Sequence, residues 1–430
     1  MNQQKHTGAA LAAESIAEPQ RETQAEPNVR RWTEQRWLVD NVIRANGIDW
    51  DQPRSFYMNA ACGFEASADF AAIRQRVQKY ADIVPAFVAT AKRREAKARA
   101  SEAEGLAVTA RDNYFMAAVH WGAAQWPLHA NDAENLALNA NKRTCYGDYV
   151  RLADHRIEPV FLPFGGKTVP GWFHLPPGYQ GGKIAVVISF PGMDTFKELF
   201  VGLSGDRWLN RGVAVLALDG PGQAECRLLG LTVSMENWTA VGKVVVDWLL
   251  ARPEVDPARI GIFGNSFGSF FATIVTAHEP RIMACIANAT CLEPGFHAIF
   301  EEASPTFKKR FMYMAGFTDE AAFDKFRQTL TWEGHAEKIR VPYLCVAGEA
   351  EELSPLVHTE RMLAGMSAPR RFVVYQDARH AIGATASVNL GPYPPTMVAD
   401  WMVERFAGKP LASERWYVDS AGAVTRTPLR

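Results

Sequence analysis

In the first third of the chain, apolar side chains recur at helical spacing. Leu38, Val39, Val42 and Ile43 mark one short helix. Ile73, Val77, Tyr80, Val84, Phe87, Val88 and Ala91 fall mostly three and four residues apart, an amphipathic stripe. Pro85 lies inside that stripe and predicts a kink or a break into two helices. Residues 92–104 are densely charged and read as a solvated helix end. Residues 109–126 are apolar over most of a helical circumference and stop at Pro127, which predicts a helix buried between layers. Residues 1–30 carry few large apolar side chains and read as a disordered tail.

Near Ile157 the period changes. Short β-type runs follow at 159–162, 169–175, 184–190, 213–218, 260–263, 282–286, 343–346 and 372–375. The inner runs are nearly continuous apolar stretches, the pattern of strands buried on both faces. Helical segments lie between them; residues 235–251 place Trp238, Val241, Val245, Trp248 and Leu249 on one face. Strands alternating with helices predict an α/β fold whose mostly parallel sheet is flanked by helices. An aromatic-rich helical segment, 296–332, separates two strands, and 415–418 with 423–426 flank a turn in a small hairpin. The expected organisation is a tail over 1–30, a helical domain over 31–155, a catalytic domain over 156–410 with an insert at 291–335, and a tail or hairpin over 411–430. No internal repeat is present.

The strongest motif is Gly264-Asn265-Ser266-Phe267-Gly268, between an apolar run and a helix-like segment. GxSxG in a strand, turn and helix is the setting of a nucleophile elbow. Small residues are needed two positions either side because the strained turn brings backbone close, and the helix N-terminus favours developing negative charge. A serine needs a base. His380 follows the last β-run, whereas His278, His297 and His358 lack that context. An acid must lie between nucleophile and base in the order Ser, acid, His. Gly348, Glu351 and Pro355 have the spacing of such an acid loop, so Glu351 is the expected orienting carboxylate, with Glu349 and Glu352 read as solvated acids. Two backbone N–H groups should face the oxyanion: Phe267, after the nucleophile, and Met193, in the loop Phe190-Pro191-Gly192-Met193-Asp194-Thr195.

Composition narrows the function. Lys+Arg is 46 and Asp+Glu is 47 in 430 residues, so no basic excess exists to neutralise a phosphate backbone, and a nucleic-acid partner is not expected. Six Cys without CxxC spacing exclude a disulfide scaffold and argue against a structural zinc site. No apolar window is long enough for a membrane span, and the first 30 residues lack the apolar region of a secretory signal. A cytoplasmic enzyme on a small-molecule substrate, with no cofactor and no metal, is the expectation.

The helical N-terminal region, the segment from Phe190 to Glu198, Asp219-Gly220-Pro221-Gly222-Gln223 and the GxSxG elbow together resemble the α/β-hydrolases related to 2,6-dihydroxypseudooxynicotine hydrolase. FrsA-like esterases and the fungal yellowish-green polyketide-shortening hydrolases are relatives. The resemblance covers roughly residues 113–407. It implies that the N-terminal helices act as a lid over the active site, that dimers are common, with a homodimer as the corresponding partner, and that the reaction is either C–C bond hydrolysis beside a ketone or ester hydrolysis. Two positions depart from the pattern: Glu351 stands where Asp is usual, and Pro191 where a small Gly often begins the oxyanion loop.

The leading reading is a serine-nucleophile hydrolase with a Ser266–His380–Glu351 triad, cleaving the C–C bond of an aryl ketone or β-diketone. The alternative is a carboxylesterase or amidase on an aromatic or apolar substrate. A non-catalytic binding protein on this fold is expected to lose one of the three residues, and all three are present. The expected pocket wall is drawn from the 109–126 helix and the insert: Tyr114, His120, Trp121, Phe307, Phe311 and Tyr313.

Overall fold

The computed structural model describes residues 25–203 and 206–429. Among the described residues six helices form the N-terminal region: α1 (Arg30–Asn46), α2 (Arg54–Cys62), α3 (Ser67–Arg76), α4 (Ile83–Ala103), α5 (Ala107–Gln125) and α6 (Ala133–Leu152). Of the tail expected over 1–30, residues 1–24 lie outside the described residues, and the remainder is anchored. Val29 is fully buried, the Asn28 N–H donates to the Thr318 carbonyl at 3.1 Å, and Glu26 pairs with Lys309 at 2.7 Å.

Trp32, Val39 and Ile43 form the inward face of α1, while Leu38 and Val42 point to solvent. The break expected at Pro85 falls upstream. Val77 is extended, the Asp82 carboxylate accepts the Gln78 and Lys79 N–H groups at 3.1 Å each, and α4 starts at Ile83. Pro85 therefore sits in the first turn, where a helix has no partner for an N–H anyway. The charged half of α4 is not simply solvated. Arg94 is buried and binds Asp69 at 2.5 Å and Glu65 at 2.6 Å, and Ala98 is fully buried.

Helix α5 is buried, as its circumference predicts, but mainly between α4 and α6. It reaches the sheet domain through Gly122, where a Cβ would lie 2.3 Å from Phe196 Cζ. Only a residue without a side chain allows that ring to approach.

Ten strands form one sheet: β1 (Ile157–Phe164), β2 (Lys167–His174), β3 (Ile184–Phe190), β4 (Ala214–Leu218), β5 (Val255–Asn265), β6 (Ala284–Asn288), β7 (Tyr343–Gly348), β8 (Arg370–Tyr375), β9 (Glu414–Val418) and β10 (Val424–Pro428). Their order is β1-β2-β4-β3-β5-β6-β7-β8-β9-β10. Pairing is parallel from β4 through β9 and antiparallel at both ends. The C-terminal hairpin is thus part of the main sheet, with Phe372 in register with Arg415.

Alternation along the strands divides the interior in two. Val186, Ile188, Ile260, Ile262, Cys345 and Phe372 face one core, and Val187, Phe263, Ile286, Val346 and Val373 face the other. The remaining helices are α7 (Phe200–Leu203), α8 (Ala224–Leu228), α9 (Met235–Leu250), α10 (Phe267–His278), α11 (Pro305–Ala315), α12 (Glu320–Arg327), α13 (Leu356–Gly365), α14 (Ala386–Leu390) and α15 (Pro394–Phe406). Helices α9 and α10 cover the first core, and α15 covers the second. Phe70, Phe87 and Trp121 of the N-terminal helices belong to the same continuous core as Val186 and Ile262. The helical region is fused to the sheet by shared apolar packing. The insert between β6 and β7 carries a single π-helical turn (Ala298–Glu302), α11 and α12. Among the described residues no helix is long and apolar enough to cross a membrane.

Candidate active site

Ser266 stands between the end of β5 and the start of α10 with φ 57° and ψ −126°, a conformation costly for a residue with a Cβ. Its surroundings hold it there. The Ser266 N–H donates to the Asn288 carbonyl at 2.9 Å, and Asn288 Nδ2 donates to Asn265 Oδ1 at 2.7 Å. The flanking glycines have no room for a side chain. A Cβ on Gly264 would lie 1.9 Å from the Gly268 carbonyl oxygen, and one on Gly268 would lie 2.3 Å from the Phe190 carbonyl oxygen.

The structure brings the three expected residues together at the carboxyl ends of the parallel strands, where α/β sheets place their sites. His380 Nε2 lies 2.8 Å from Ser266 Oγ, and His380 Nδ1 lies 2.9 and 3.0 Å from the two Glu351 carboxylate oxygens. The carboxylate accepts, so Nδ1 carries the proton and Nε2 is left to accept from the serine hydroxyl. The Glu351 side chain is wholly buried, and its Oε1 also accepts the Leu353 N–H at 3.0 Å. Gly348 lets the acid loop and the histidine loop pass: a Cβ there would lie 2.1 Å from the Ala378 carbonyl oxygen, and the Ala350 N–H donates to that same oxygen at 2.9 Å.

Burial alone would push the His380 imidazole down. The charge and hydrogen bond of Glu351, with Glu352 and Asp194 behind them, outweigh burial and hold it above its ordinary 6.5. The neighbouring acids are not merely solvated, in contrast to the expectation from sequence. Glu352 Oε2 accepts the His380 backbone N–H at 2.9 Å, and Glu349 accepts from the Tyr417 hydroxyl at 3.1 Å and the Asp377 N–H at 3.2 Å. The other histidines have partners elsewhere. His278 bonds His335 at 2.7 Å, His297 lies 3.5 Å from Glu302, and His358 lies 3.6 Å from Glu293.

The loop carrying Met193 runs over the serine. A Cβ on Gly192 would lie 3.1 Å from Ser266 Cβ. Phe267 is the first residue of α10, so its N–H has no intrahelical acceptor. Both N–H groups expected for an oxyanion therefore belong to segments flanking Ser266.

A cavity of about 200 Å³ opens on Ser266 and His380. Phe56 and Tyr393 line it while remaining 49% and 43% exposed, and so mark its mouth. Of the six expected wall residues only Phe307 lines it, joined from the insert by Ile299. The other five are engaged in packing. Tyr114 donates to Glu102 at 2.9 Å in a small core with Ala98 and Ala110. His120 is buried against Phe70 and Phe87, 3.5 Å from Asp69, and burial depresses its pKa. Trp121 Nε1 donates to Glu95 at 3.3 Å. Phe311 packs on Phe267, with ring centroids 4.6 Å apart, and the Tyr313 hydroxyl donates to Asn131 at 2.7 Å.

The N-terminal wall is instead α2 and the residues before it: Gln52, Phe56, Tyr57 and Ala60. This helix is short and carries a charge, Arg54, in its first turn, so its local pattern does not mark it as a wall. Asp194 was likewise not singled out, although it lines the cavity one residue after Met193. Among the described residues no group of three or more His, Cys, Asp or Glu side chains is gathered as a metal site requires.

Residues 243–408 match the prolyl oligopeptidase family. The chain is 30% identical over 233 residues to the alpha/beta hydrolase xenA of Xenoacremonium sinensis, covering 52% of this chain and 53% of that protein. It is 32% identical over 206 residues to 20-hydroxy-prefusarin hydrolase FUS2 of Gibberella moniliformis, covering 44% and 48%. The matches thus span about half the length of these curated relatives. Among solved structures, 2,6-dihydroxy-pseudo-oxynicotine hydrolase superposes with a TM-score of 0.70 at 24% identity, covering 82% of this chain and 97% of that one. AbyA5 superposes with a TM-score of 0.61 at 16% identity, covering 82% and 92%. These likenesses establish the α/β-hydrolase fold, including the N-terminal helices. Residues 87–324, more than half of the 430-residue chain, match the family described as esterase FrsA-like, and the protein belongs to that family of α/β-hydrolases.

Proposed function

We propose that this hydrolase works through a Ser266 nucleophile. The observation that carries the reading is the unbroken chain of hydrogen bonds from Glu351 through His380 to Ser266 Oγ. Ser266 Oγ attacks a carbonyl carbon as its proton passes to His380 Nε2. The developing oxyanion is held by the Phe267 and Met193 N–H groups. The bond to the leaving group breaks, and that group takes the proton from Nε2. Water then attacks the acyl-enzyme with His380 again as base, releasing a carboxylic acid and Ser266. Glu351 keeps the Nδ1 proton in place and stabilises the imidazolium.

The bond we favour is the C–C bond of an aryl ketone or β-diketone. From a β-diketone the leaving group is an enolate, stabilised by the remaining carbonyl; from an aryl ketone it is a ring carbanion, stabilised by the ring's own substituents; in both the proton from His380 quenches it. A cavity lined by Phe307, Ile299 and Phe56 suits an apolar or flat substrate. The relative named 20-hydroxy-prefusarin hydrolase supports hydrolysis of a small organic molecule. The second reading, a carboxylesterase, is favoured by the family description and uses the same residues. Incubation with matched aryl β-diketones, aryl esters and aryl amides, with products identified by mass spectrometry, separates them. Turnover of the ester and amide with an untouched diketone would remove the C–C reading.

A further inference from the structure

The loop that carries Met193 is held from two sides. From the sheet domain, Gln223 Nε2 donates to the Pro191 carbonyl at 2.5 Å; within the loop, the Gly192 N–H donates to Thr195 Oγ1 at 2.9 Å. Gln223 is itself fixed, its Oε1 accepting the Gly220 N–H at 2.9 Å. From the N-terminal domain, Asp194 Oδ2 accepts from the Tyr57 hydroxyl at 2.9 Å and pairs with Arg54 Nη2 at 3.2 Å. The Met193 peptide lies between these two attachments, one on the Pro191 carbonyl and one on the Asp194 side chain.

The N-terminal attachment is rigid. The Arg54 side chain is fully buried, paired to Asp51, and lies over Trp126 and Trp50 at 4.0 and 5.1 Å from the ring centroids. Burial would lower its affinity for a proton, but the Asp51 and Asp194 carboxylates offset this and keep it charged. Burial and the Asp194 charge push the Tyr57 phenol far up, so it stays a neutral donor. A buried guanidinium with two carboxylates is costly to break, because removing one partner strands a charge. On the sheet side the loop runs close over the nucleophile: a Cβ on Gly192 would lie 3.1 Å from Ser266 Cβ.

We propose that Arg54 and Tyr57 are positioning residues that act through Asp194 to aim the Met193 N–H at the oxyanion, so that the helical domain completes the oxyanion hole and is more than a lid. The proposal rests on the serine-hydrolase reading above. It follows that even a small activated ester, which needs no lid for binding, depends on the N-terminal domain for turnover. An oxyanion donor displaced by about 1 Å loses much of its effect.

The test uses the full chain, p-nitrophenyl acetate as substrate and a fluorophosphonate as probe of Ser266. Tyr57→Phe keeps the ring and removes only the donor; Asp194→Asn is isosteric and removes the charge. Tyr57→Phe is expected to lower kcat about tenfold or more with KM within about twofold, and to slow phosphonylation of Ser266 by the same factor, because the phosphonyl oxygen must enter the same hole. Asp194→Asn is expected to lose more, and the double variant no more than Asp194→Asn alone, as residues of one unit do. Wild-type rates in folded Tyr57→Phe and Asp194→Asn would overturn the proposal. So would a raised KM at unchanged kcat, which marks a binding wall, or losses that multiply in the double variant. A wild-type protein that the probe does not label at Ser266 would instead sink the serine reading, and the positioning role with it.

Discussion

Both carboxylate oxygens of Glu351 converge on the single Nδ1 of His380, at 2.9 and 3.0 Å. The two residues leave adjacent strands, β7 and β8, whose register brings Gly348 beside Tyr375. The carboxylate is held in turn by the Leu353 N–H, which donates to its Oε1 at 3.0 Å.

Glu351→Gln should lower kcat by several orders of magnitude, because an amide can favour the wrong imidazole tautomer. Glu349→Gln should stay within about tenfold of wild type. Glu352→Gln retains an oxygen to accept the His380 backbone N–H and should also be mild, whereas Glu352→Ala frees that loop and should cost more. Steady-state kinetics of the four variants decide. A near-normal Glu351→Gln beside a crippled Glu349→Gln would move the assignment.

Ser266→Ala should abolish turnover, by about 10⁴-fold or more, in a protein that still folds. The fluorophosphonate should mark the wild type on Ser266, read by peptide mass spectrometry, and should not mark the variant.

The acid limb of kcat/KM should lie above pH 6.5, since Glu351, Glu352 and Asp194 hold the His380 imidazole above that value and only the neutral ring accepts the serine proton. Activity is lost as pH falls through the raised value. Stability moves the other way: the protonated ring stabilises the fold at low pH, and that contribution disappears as pH rises through the folded-state value. In Glu351→Gln the leading upward influence is gone, so the limb of any residual activity should shift to lower pH.

Two glycine substitutions should diverge. Gly264→Ala drives a Cβ to 1.9 Å from backbone and should either abolish soluble yield or lower the melting temperature by about 10 °C. Gly147→Ala, inside α6 with nothing within 4 Å of the new carbon, should raise stability by about 0.5–1 kcal/mol. Thermal melts of the two proteins compare them directly.

Removing residues 1–150 should leave an aggregating fragment. It strips Phe56 and Tyr57 from the cavity and opens the core shared by Phe87 and Ile262. A monodisperse fragment on size exclusion, with full activity, would show that the helices contribute nothing to the site.

Much of this was legible in the sequence by itself, because local chemistry determined it. Strand β3 is a run of seven buried residues, and the near-continuous apolar stretch Ile184–Phe190 is the pattern of a strand covered on both faces. The elbow is equally local: two glycines, a serine between them, and a strand and helix to hold the turn. Glu351 and His380 followed from chain order and from Gly348 and Pro355. What only the tertiary structure decided was which surfaces meet. Periodicity states that a helix face is buried and not against what, so α5 was expected at the cavity while α2 forms its wall. A charged Arg54 looks like surface until two tryptophans and two carboxylates enclose it. Val29 and the C-terminal hairpin join the fold through partners hundreds or dozens of residues away, and such long-range contacts leave no trace in the local pattern of side chains.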